Sequence, residues 1–278
     1  MLVALQIQER HPRGWRQKIW ERFRRAGEVR SHFVSVPGGR YIQIVAECDR
    51  HGRVDWREIR RVAGSEASRM LLPEGICPPE NSGVSSFSGR ALRQELMRQT
   101  ALQLLRTVPT LPRQTVVVYD PQGRHPSLAD DLISLAADIR IVTARPAAYE
   151  DARDRAMAQH GACLPVTDDT ACIGGAALVL APDGIGPDVP SPRGWILSGA
   201  DGIRPHTITG YIPAACEAYM DTLPPGCDIW DYLAGLYELS AIRSIGARPP
   251  LALCAGAQHL SLGDIGWRLA GLDISISV

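Results

Sequence analysis

Apolar runs and amphipathic segments alternate between residues 114 and 184, and this alternation is the clearest pattern in the chain. The stretch TVVVYD is continuously apolar up to its final aspartate, which is typical of a strand buried on both faces of a parallel sheet. Three further strands and two helices are predicted from the sequences RIVTA, ACLPV, AALVLAPDG, SLADDLISLAADI and AAYEDARDRAMAQHG. Ser127 is the predicted cap of the first helix, and Gly161 is the predicted end of the second. This order of elements predicts a doubly wound parallel sheet with right-handed crossovers.

The first 110 residues have a different pattern. An amphipathic helix is predicted over residues 12–27, and a hairpin is predicted around the turn Pro37-Gly38-Gly39. Asp55 is a predicted cap of a short helix that ends at Gly64, and a long helix follows over residues 89–108. The sequence therefore predicts a small N-terminal α/β (α+β) domain over residues 1–110, and a parallel-sheet domain with a C-terminal extension over residues 111–278.

The C-terminal extension is less regular. Strands are predicted at GWILSG, HTITGYI and LALCAG, and helices at IPAACEAYMDTL, CDIWDYLAGLYELSAI and SLGDIGWRLAGL. Ser261 is the predicted cap of the last helix.

Composition and charge support two globular domains. The chain has 278 residues, of which 45% are hydrophobic and 22% charged, so a sizeable core is expected. Residues 1–110 hold 19 basic against 11 acidic side chains, whereas residues 111–278 hold 11 against 19. No membrane-spanning run and no signal peptide are recognisable, so a cytoplasmic protein is predicted. Base rates for α/β proteins favour a homodimer.

The residue types available exclude several chemistries. Lys18 is the only lysine, so a Schiff-base enzyme or a P-loop hydrolase is not expected. The seven cysteines contain no C-x-x-C pair, and the seven histidines show no metal-ligand spacing, so no disulfide framework and no metal site are predicted. Cys254 and His259 are close in sequence, but they are interpreted as a core cysteine and a surface histidine.

The turn that follows the first strand of the sheet is the main candidate site. Residues 115–184 resemble the Rossmann-type NAD(P)-binding superfamily in the order of their elements. That resemblance implies a glycine-rich turn that binds pyrophosphate, but the sequence here is DPQGRHPS, with Gly123 as its one glycine. Pro121 and Pro126 each remove an N–H, and Asp120 adds a negative charge where phosphate would lie. A degenerate site without the usual dinucleotide chemistry is therefore predicted.

Two alternatives remain open at this edge of the sheet. Arg145 follows the second strand and would suit a 2′-phosphate, so an NADP-dependent oxidoreductase with an atypical turn is the first alternative. The chain also resembles the haloacid-dehalogenase-like phosphohydrolases, in which Asp120 would be the nucleophile and Thr143 would end the second strand. Asp168 and Asp169 would then be the acidic metal-binding pair, although Gln122 stands where that family has a second aspartate.

The predicted function is the binding of a small molecule or protein partner at the carboxyl ends of the strands. No cofactor is predicted beyond NADP in the alternative above. A third possibility is nucleic-acid binding by the basic helix at residues 12–27, although no further nucleic-acid signature accompanies it. The predicted ligand-binding residues are Asp120, Gln122, Gly123, Arg124, His125, Thr143, Arg145, Asp168 and Asp183.

Overall fold

The computed structural model of the chain describes residues 1–9, 28–49, 52–202 and 204–271. The described strands, in chain order, are β1 (Val3–Glu9), β2 (Val29–Val36), β3 (Gly39–Cys48), β4 (Thr115–Tyr119), β5 (Asp138–Val142), β6 (Val166–Thr167), β7 (Leu178–Ala181), β8 (Trp195–Ser198), β9 (Thr207–Ile208), β10 (Gly210–Ile212), β11 (Ala252–Ala255) and β12 (Gln258–Leu260). The described α-helices are α1 (Trp56–Ala63), α2 (Ala91–Thr107), α3 (Ser127–Ile133), α4 (Glu150–His160), α5 (Ile229–Leu239) and α6 (Leu262–Gly271).

The chain forms two compact units. The first unit comprises Met1–Leu92 and Ala215–Ala247, and the second comprises Arg93–Ala214 and Arg248–Val278. The amphipathic helix predicted over residues 12–27 lies outside the described residues.

The first unit contains a three-stranded sheet in the order β1-β3-β2. Strand β3 pairs parallel to β1 and antiparallel to β2, and the second pairing confirms the predicted hairpin. Gly38 lies in its turn with a φ of +82°, which glycine adopts without strain. The core of the sheet is built on alternate residues such as Val3, Leu5 and Ile44, each at most 1% exposed.

Both predicted boundaries of helix α1 are confirmed. The Asp55 side chain accepts hydrogen bonds from the backbone N–H groups of Arg57 and Glu58, and the helix ends at Gly64, which has a φ of +61°. These contacts satisfy N–H groups that a helix start would otherwise leave without partners.

The second unit contains a six-stranded parallel sheet in the order β6-β5-β4-β7-β8-β9. Strand β4 pairs with β5 and β7 on its two edges, and its successive residues Val116, Val117 and Val118 are fully buried, so both of its faces are covered. The continuous apolar run therefore marks a strand buried on both faces, as predicted. The protein is an α/β protein with a parallel six-stranded sheet and a smaller separate sheet.

Several element predictions for the second unit need correction. Ser127 does not cap α3, since the helix begins at that residue and its preceding residue, Pro126, offers no side-chain bond. The single strand predicted at HTITGYI is two strands. Strand β9 joins the parallel sheet, whereas β10 pairs with β11 in a separate antiparallel sheet of the order β10-β11-β12. The buried Tyr211 hydroxyl has one proton and lies 3.0 Å from the Ser198 carbonyl oxygen and 3.2 Å from the Ile208 carbonyl oxygen, so it links β10 to the ends of β8 and β9.

The helix predicted at IPAACEAYMDTL in the first unit is a 3₁₀ helix, Cys216–Thr222, and not an α-helix. The two prolines after Leu223 explain its short length, because a residue before proline disfavours helical backbone angles. The other C-terminal helix predictions are confirmed by α5 and α6, and Ser261 caps α6 through a bond of 3.1 Å from the Asp264 N–H to its hydroxyl.

Candidate functional site at the carboxyl ends of the parallel strands

The order of the parallel strands reverses between β4 and β7. Counted from β4 as the first strand of the sheet, the order is 3-2-1-4-5-6, in which successive strands run outwards from β4 on one side and from β7 on the other. In open α/β sheets, ligands bind outside the carboxyl ends of the strands at such a reversal. Asp120 directly follows β4 and Asp183 lies two residues after β7, so the topology places both carboxylates beside this switch point.

Asp120 is buried and closes its own turn. Its side chain is 1% exposed, and Oδ2 accepts hydrogen bonds from the His125 N–H at 2.7 Å and from the Tyr149 hydroxyl at 2.8 Å. The Asp120 carbonyl also accepts from the Gly123 N–H at 3.0 Å. The carboxylate thus engages a turn amide that a bound phosphate would otherwise need.

The second oxygen of the same carboxylate is different. Oδ1 of Asp120 is buried and has no hydrogen-bond partner among the described residues. A buried acceptor without a partner costs about 1–3 kcal/mol, and more when it is charged. This atom is therefore a candidate point of contact for a ligand.

Gly123 is needed for the shape of the turn. Its φ is +63°, and a Cβ at this position would come within 2.8 Å of the Ala148 Cβ and 3.2 Å of the Arg145 Cβ. The glycine therefore lets the β4 turn pack closely on the segment after β5. Gln122, beside it, is exposed.

The side chains of the β4 turn meet those that follow β7. His125 Nε2 lies 3.5 Å from Asp183 Oδ2, and Arg124 Nη1 lies 3.7 Å from the same oxygen. Neither contact is a hydrogen bond, and both His125 Nε2 and Asp183 Oδ2 are buried atoms without a hydrogen-bond partner in the described part of the chain. Gln94 of α2 donates to Asp183 Oδ1 at 3.2 Å and to the Pro182 carbonyl at 3.3 Å.

The remaining predicted site residues lie after β5 and β6. Thr143 is 1% exposed and its hydroxyl accepts from the Arg145 N–H at 3.1 Å, so it shapes the turn after β5. The Arg145 side chain is exposed. Asp168 is also exposed and follows β6, the edge strand on the far side of β5, whereas its neighbour Asp169 accepts from the Ala171 N–H and caps a short 3₁₀ helix.

The structure therefore brings together Asp120, Gly123, Arg124, His125 and Asp183, and it places Asp168 after the edge strand β6, two strands away from β4. Two residues of this cluster were not predicted from the sequence, Tyr149 and Gln94. Burial, together with the charge of Asp120 and the hydrogen bond to it, raises the pKa of the Tyr149 phenol well above its ordinary value. Tyr149 therefore remains a neutral hydrogen-bond donor in the physiological range.

The loops after β7 and β8 are packed backbone against backbone. A Cβ on Gly199 would lie 2.2 Å from the Pro182 carbonyl oxygen, so only glycine fits beside the loop that carries Asp183. The Ser198 hydroxyl donates to the Ala200 carbonyl at 2.7 Å and fixes the turn that follows β8. This side of the switch point is thus held by main-chain contacts.

Cys254 and His259 are cross-strand partners on the hairpin of β11 and β12, with 3.6 Å between Sγ and Nδ1. Cys254 is half-buried and burial raises the pKa of its thiol, whereas His259 is exposed. In the described ranges, no three His, Cys, Asp or Glu side chains are grouped so that they could hold a metal ion. Across those same residues, no helix combines the length and the apolar character needed to cross a membrane.

Comparison with known proteins gives weak structural matches. The chain matches no protein-family model, and no curated protein matches it. Among solved structures, L-tryptophan dehydrogenase from Nostoc punctiforme is similar at 13% identity and a TM-score of 0.33, over 86% of this chain and 78% of that one. Ornithine carbamoyltransferase from Pyrococcus furiosus is similar at 12% identity and a TM-score of 0.31, over 74% of this chain and 75% of that one. The Rossmann-like description therefore depends on the parallel sheet and its strand order.

Proposed function

We propose that the second unit binds a small molecule at the switch point between β4 and β7 and does not bind a dinucleotide through its pyrophosphate. The observation that carries this proposal is the arrangement of the Asp120 carboxylate. Oδ2 accepts a hydrogen bond from the His125 N–H, while the buried Oδ1 has no hydrogen-bond partner in the described part of the chain. The same residue therefore opposes an anion and offers an acceptor to a different ligand.

The opposition to phosphate has an electrostatic and a geometric part. A carboxylate at the end of β4 repels a phosphate that would have to come within a few ångströms of it. The β4 turn supplies few amides in compensation, because Pro121 and Pro126 have none and the Gly123 and His125 amides already donate to Asp120. A Rossmann-type pyrophosphate contact needs several such amides.

The support for a ligand site is the concentration of unsatisfied atoms. Asp120 Oδ1, His125 Nε2 and Asp183 Oδ2 are all buried and without a hydrogen-bond partner among the described residues. They lie on the two turns that flank the switch point, where proteins of this topology bind their ligands. Buried polar atoms of folded proteins are normally paired, and His125 Nε2 and Asp183 Oδ2 at least face each other at 3.5 Å. Asp120 Oδ1 therefore carries most of the support for a site.

A second candidate function, NADP-dependent reduction, is favoured by one observation. Arg145 directly follows the turn after β5, and its side chain is exposed and could meet a 2′-phosphate. This candidate requires the adenosine half of NADP to bind through Arg145, although the Gly123 and His125 amides of the β4 turn already donate to Asp120.

Amide NMR and thermal shift on the full chain test the proposal. NADP, NAD, FMN, ATP and S-adenosylmethionine are expected to leave the Gly123 and His125 amide signals and the melting temperature unchanged. A library of phosphate-free metabolites is expected to contain compounds that perturb both signals. An NADP-induced shift that Arg145→Ala abolishes would support the reductase instead. If no compound of the library perturbs these amides, the small-molecule proposal is wrong. The remaining interpretation of this surface is then a protein-binding site.

A further inference from the structure

The charge around the unpartnered Asp120 oxygen indicates what a ligand should present to it. The two groups that donate to Oδ2, the His125 N–H and the Tyr149 hydroxyl, are both neutral. A buried carboxylate held only by neutral donors lacks compensation for the loss of its hydration. A ligand atom that carries both a positive charge and N–H groups supplies that compensation.

Tyr149 cannot take over this role. Its phenol already donates its one proton to Oδ2, and burial beside Asp120 raises the pKa of the phenol. The hydroxyl therefore remains neutral and has no second proton to offer Oδ1. Within the Asp120 carboxylate, Oδ1 is therefore the oxygen that lacks a hydrogen-bond donor among the described residues.

A second acceptor lies across the switch point. Asp183 Oδ2 is also without a hydrogen-bond partner in the described residues, and it lies 3.5 Å from His125 Nε2. His125 spans the two carboxylates, because its main-chain N–H contacts Asp120 while its ring faces Asp183. An ammonium that donates to Asp120 Oδ1 keeps two further donors for other acceptors of the site.

We infer that the ligand at the switch point carries a primary ammonium group, which donates to Asp120 Oδ1. This inference rests on the proposed small-molecule site. An ammonium has three donors and a full charge, whereas a hydroxyl has one donor and no charge. A carboxylate or phosphate would place like charge against Asp120.

The ammonium group could belong to a simple amine or to an amino acid. Arg124 and Arg145 are exposed and belong to two turns that pack together at Gly123. We expect a carboxylate on the same ligand to pair with one of these guanidinium groups. Arg124 Nη1 is only loosely engaged, at 3.7 Å from Asp183 Oδ2, and its side chain is 65% exposed.

Matched sets of small probes test the inference. Each set keeps the carbon skeleton and changes the polar group: cadaverine, 1,5-pentanediol and glutarate form one set, and benzylamine, benzyl alcohol and benzoate form another. L-Lysine and L-phenylalanine add the amino acids. Binding is followed through the His125 and Gly123 amide signals of the full chain, titrated in the millimolar range.

We expect the amine of at least one set, or an amino acid, to perturb both signals while its alcohol and its carboxylate do not. Asp120→Asn should weaken that binding by about tenfold or more, because a charged hydrogen bond becomes neutral. Asp130→Asn is the control, since Asp130 is an exposed carboxylate of the neighbouring α3 that pairs with Arg155. It should leave the affinity unchanged.

The other outcomes separate this inference from the proposed function. If alcohols or carboxylates perturb the same amides as well as the amines do, the site stands and the ammonium inference is wrong. The inference is also wrong if Asp120→Asn leaves the amine affinity unchanged. If neither the probes nor the metabolite library perturb these amides, the site itself fails. A simple amine that binds as tightly as the amino acid excludes a contribution from the two arginines.

Discussion

The two units differ in how their buried polar groups are hydrogen-bonded. In the first unit, the Tyr41 hydroxyl donates to the Thr222 carbonyl at 2.8 Å, and the Tyr232 and Thr222 hydroxyls lie 2.9 Å apart. The Tyr219 hydroxyl donates to the Pro37 carbonyl at 3.1 Å. In the second unit, by contrast, buried atoms of Asp120, His125 and Asp183 have no hydrogen-bond partner among the residues that the structure describes.

This difference distinguishes the tyrosine cluster of the first unit, which stabilises the fold, from the candidate site of the second unit. Asp120 Oδ1, His125 Nε2 and Asp183 Oδ2 belong to the second unit, where buried atoms of Thr110, Arg204 and Thr207 also have no hydrogen-bond partner among the described residues. Each such atom costs about 1–3 kcal/mol, so a chain selected for stability alone would replace it. Retaining several of them at the switch point is consistent with function, whereas the tyrosine cluster of the first unit needs no explanation beyond stability.

The substitution with the largest expected effect on stability tests whether the loops after β7 and β8, beside the site of the second unit, are rigid. Gly199→Ala should destabilise the protein by about 3 kcal/mol, because the new Cβ would lie 2.2 Å from the Pro182 carbonyl oxygen. Urea unfolding measures the loss, and hydrogen exchange of peptides around Asp183 locates it.

Two glycine variants provide the controls for that measurement. Gly202→Ala lies three residues further on in open space and should be nearly neutral. In the first unit, a Cβ on Gly235 would meet the end of the flexible Leu2 side chain, so Gly235→Ala should cost much less than Gly199→Ala. Equal losses for Gly199→Ala and Gly202→Ala would show that the loops after β7 and β8 yield easily, and that the site is not preformed.

The second prediction compares the polar groups directly. Tyr41→Phe should cost about 2 kcal/mol, because it leaves the Thr222 carbonyl without its donor. Asp120→Asn should cost less than that or stabilise the protein, since the amide oxygen can still accept from His125 and Tyr149 while the buried charge is removed. Urea unfolding of both variants, with exchange followed in peptides of β3 and β4, gives the two values. A larger loss for Asp120→Asn than for Tyr41→Phe would reverse the comparison and assign Asp120 a structural role.

Much of the fold could be predicted because its signals are local. The apolar run of β4 reports burial on both faces, and caps such as Asp55 and Ser261 need only neighbours within three residues. The hydrophobic pattern gave a wrong prediction where long-range contacts accompany a change in the backbone, as in the single strand predicted at HTITGYI. At the break between β9 and β10, one such contact is the hydrogen bond from the Tyr211 hydroxyl to the carbonyl of Ser198, 13 residues away.

The candidate site was predictable in its position but not in its contacts. Strand ends of a parallel sheet meet at one edge, so Asp120 and Asp183 could be named from the sequence. The partners of these carboxylates could not be named, because Tyr149 lies 29 residues from Asp120 and Gln94 lies 89 residues from Asp183. Nothing in the periodicity of one chain reports which distant donor reaches which acceptor, and the strand order that separates Asp168 from the site is not a local property either.

The smallest expected effect is the loss of stability of the first unit at alkaline pH. Burial raises the pKa of Tyr232 to about 12 in the folded protein, against about 10 in an unfolded chain. Between these values the unfolded tyrosine loses its proton while the folded one keeps it, so the stability due to Tyr232 is complete below pH 10 and is lost as the pH rises towards 12. At pH 11 the loss should be about 1 kcal/mol. Urea unfolding at pH 9, 10 and 11 measures it as the part of the pH dependence that Tyr232→Phe removes. An identical decline in the two proteins would mean that the Tyr232 hydroxyl ionises freely in the folded state, and the polar groups of the first unit would then be less completely buried and paired than those contacts indicate.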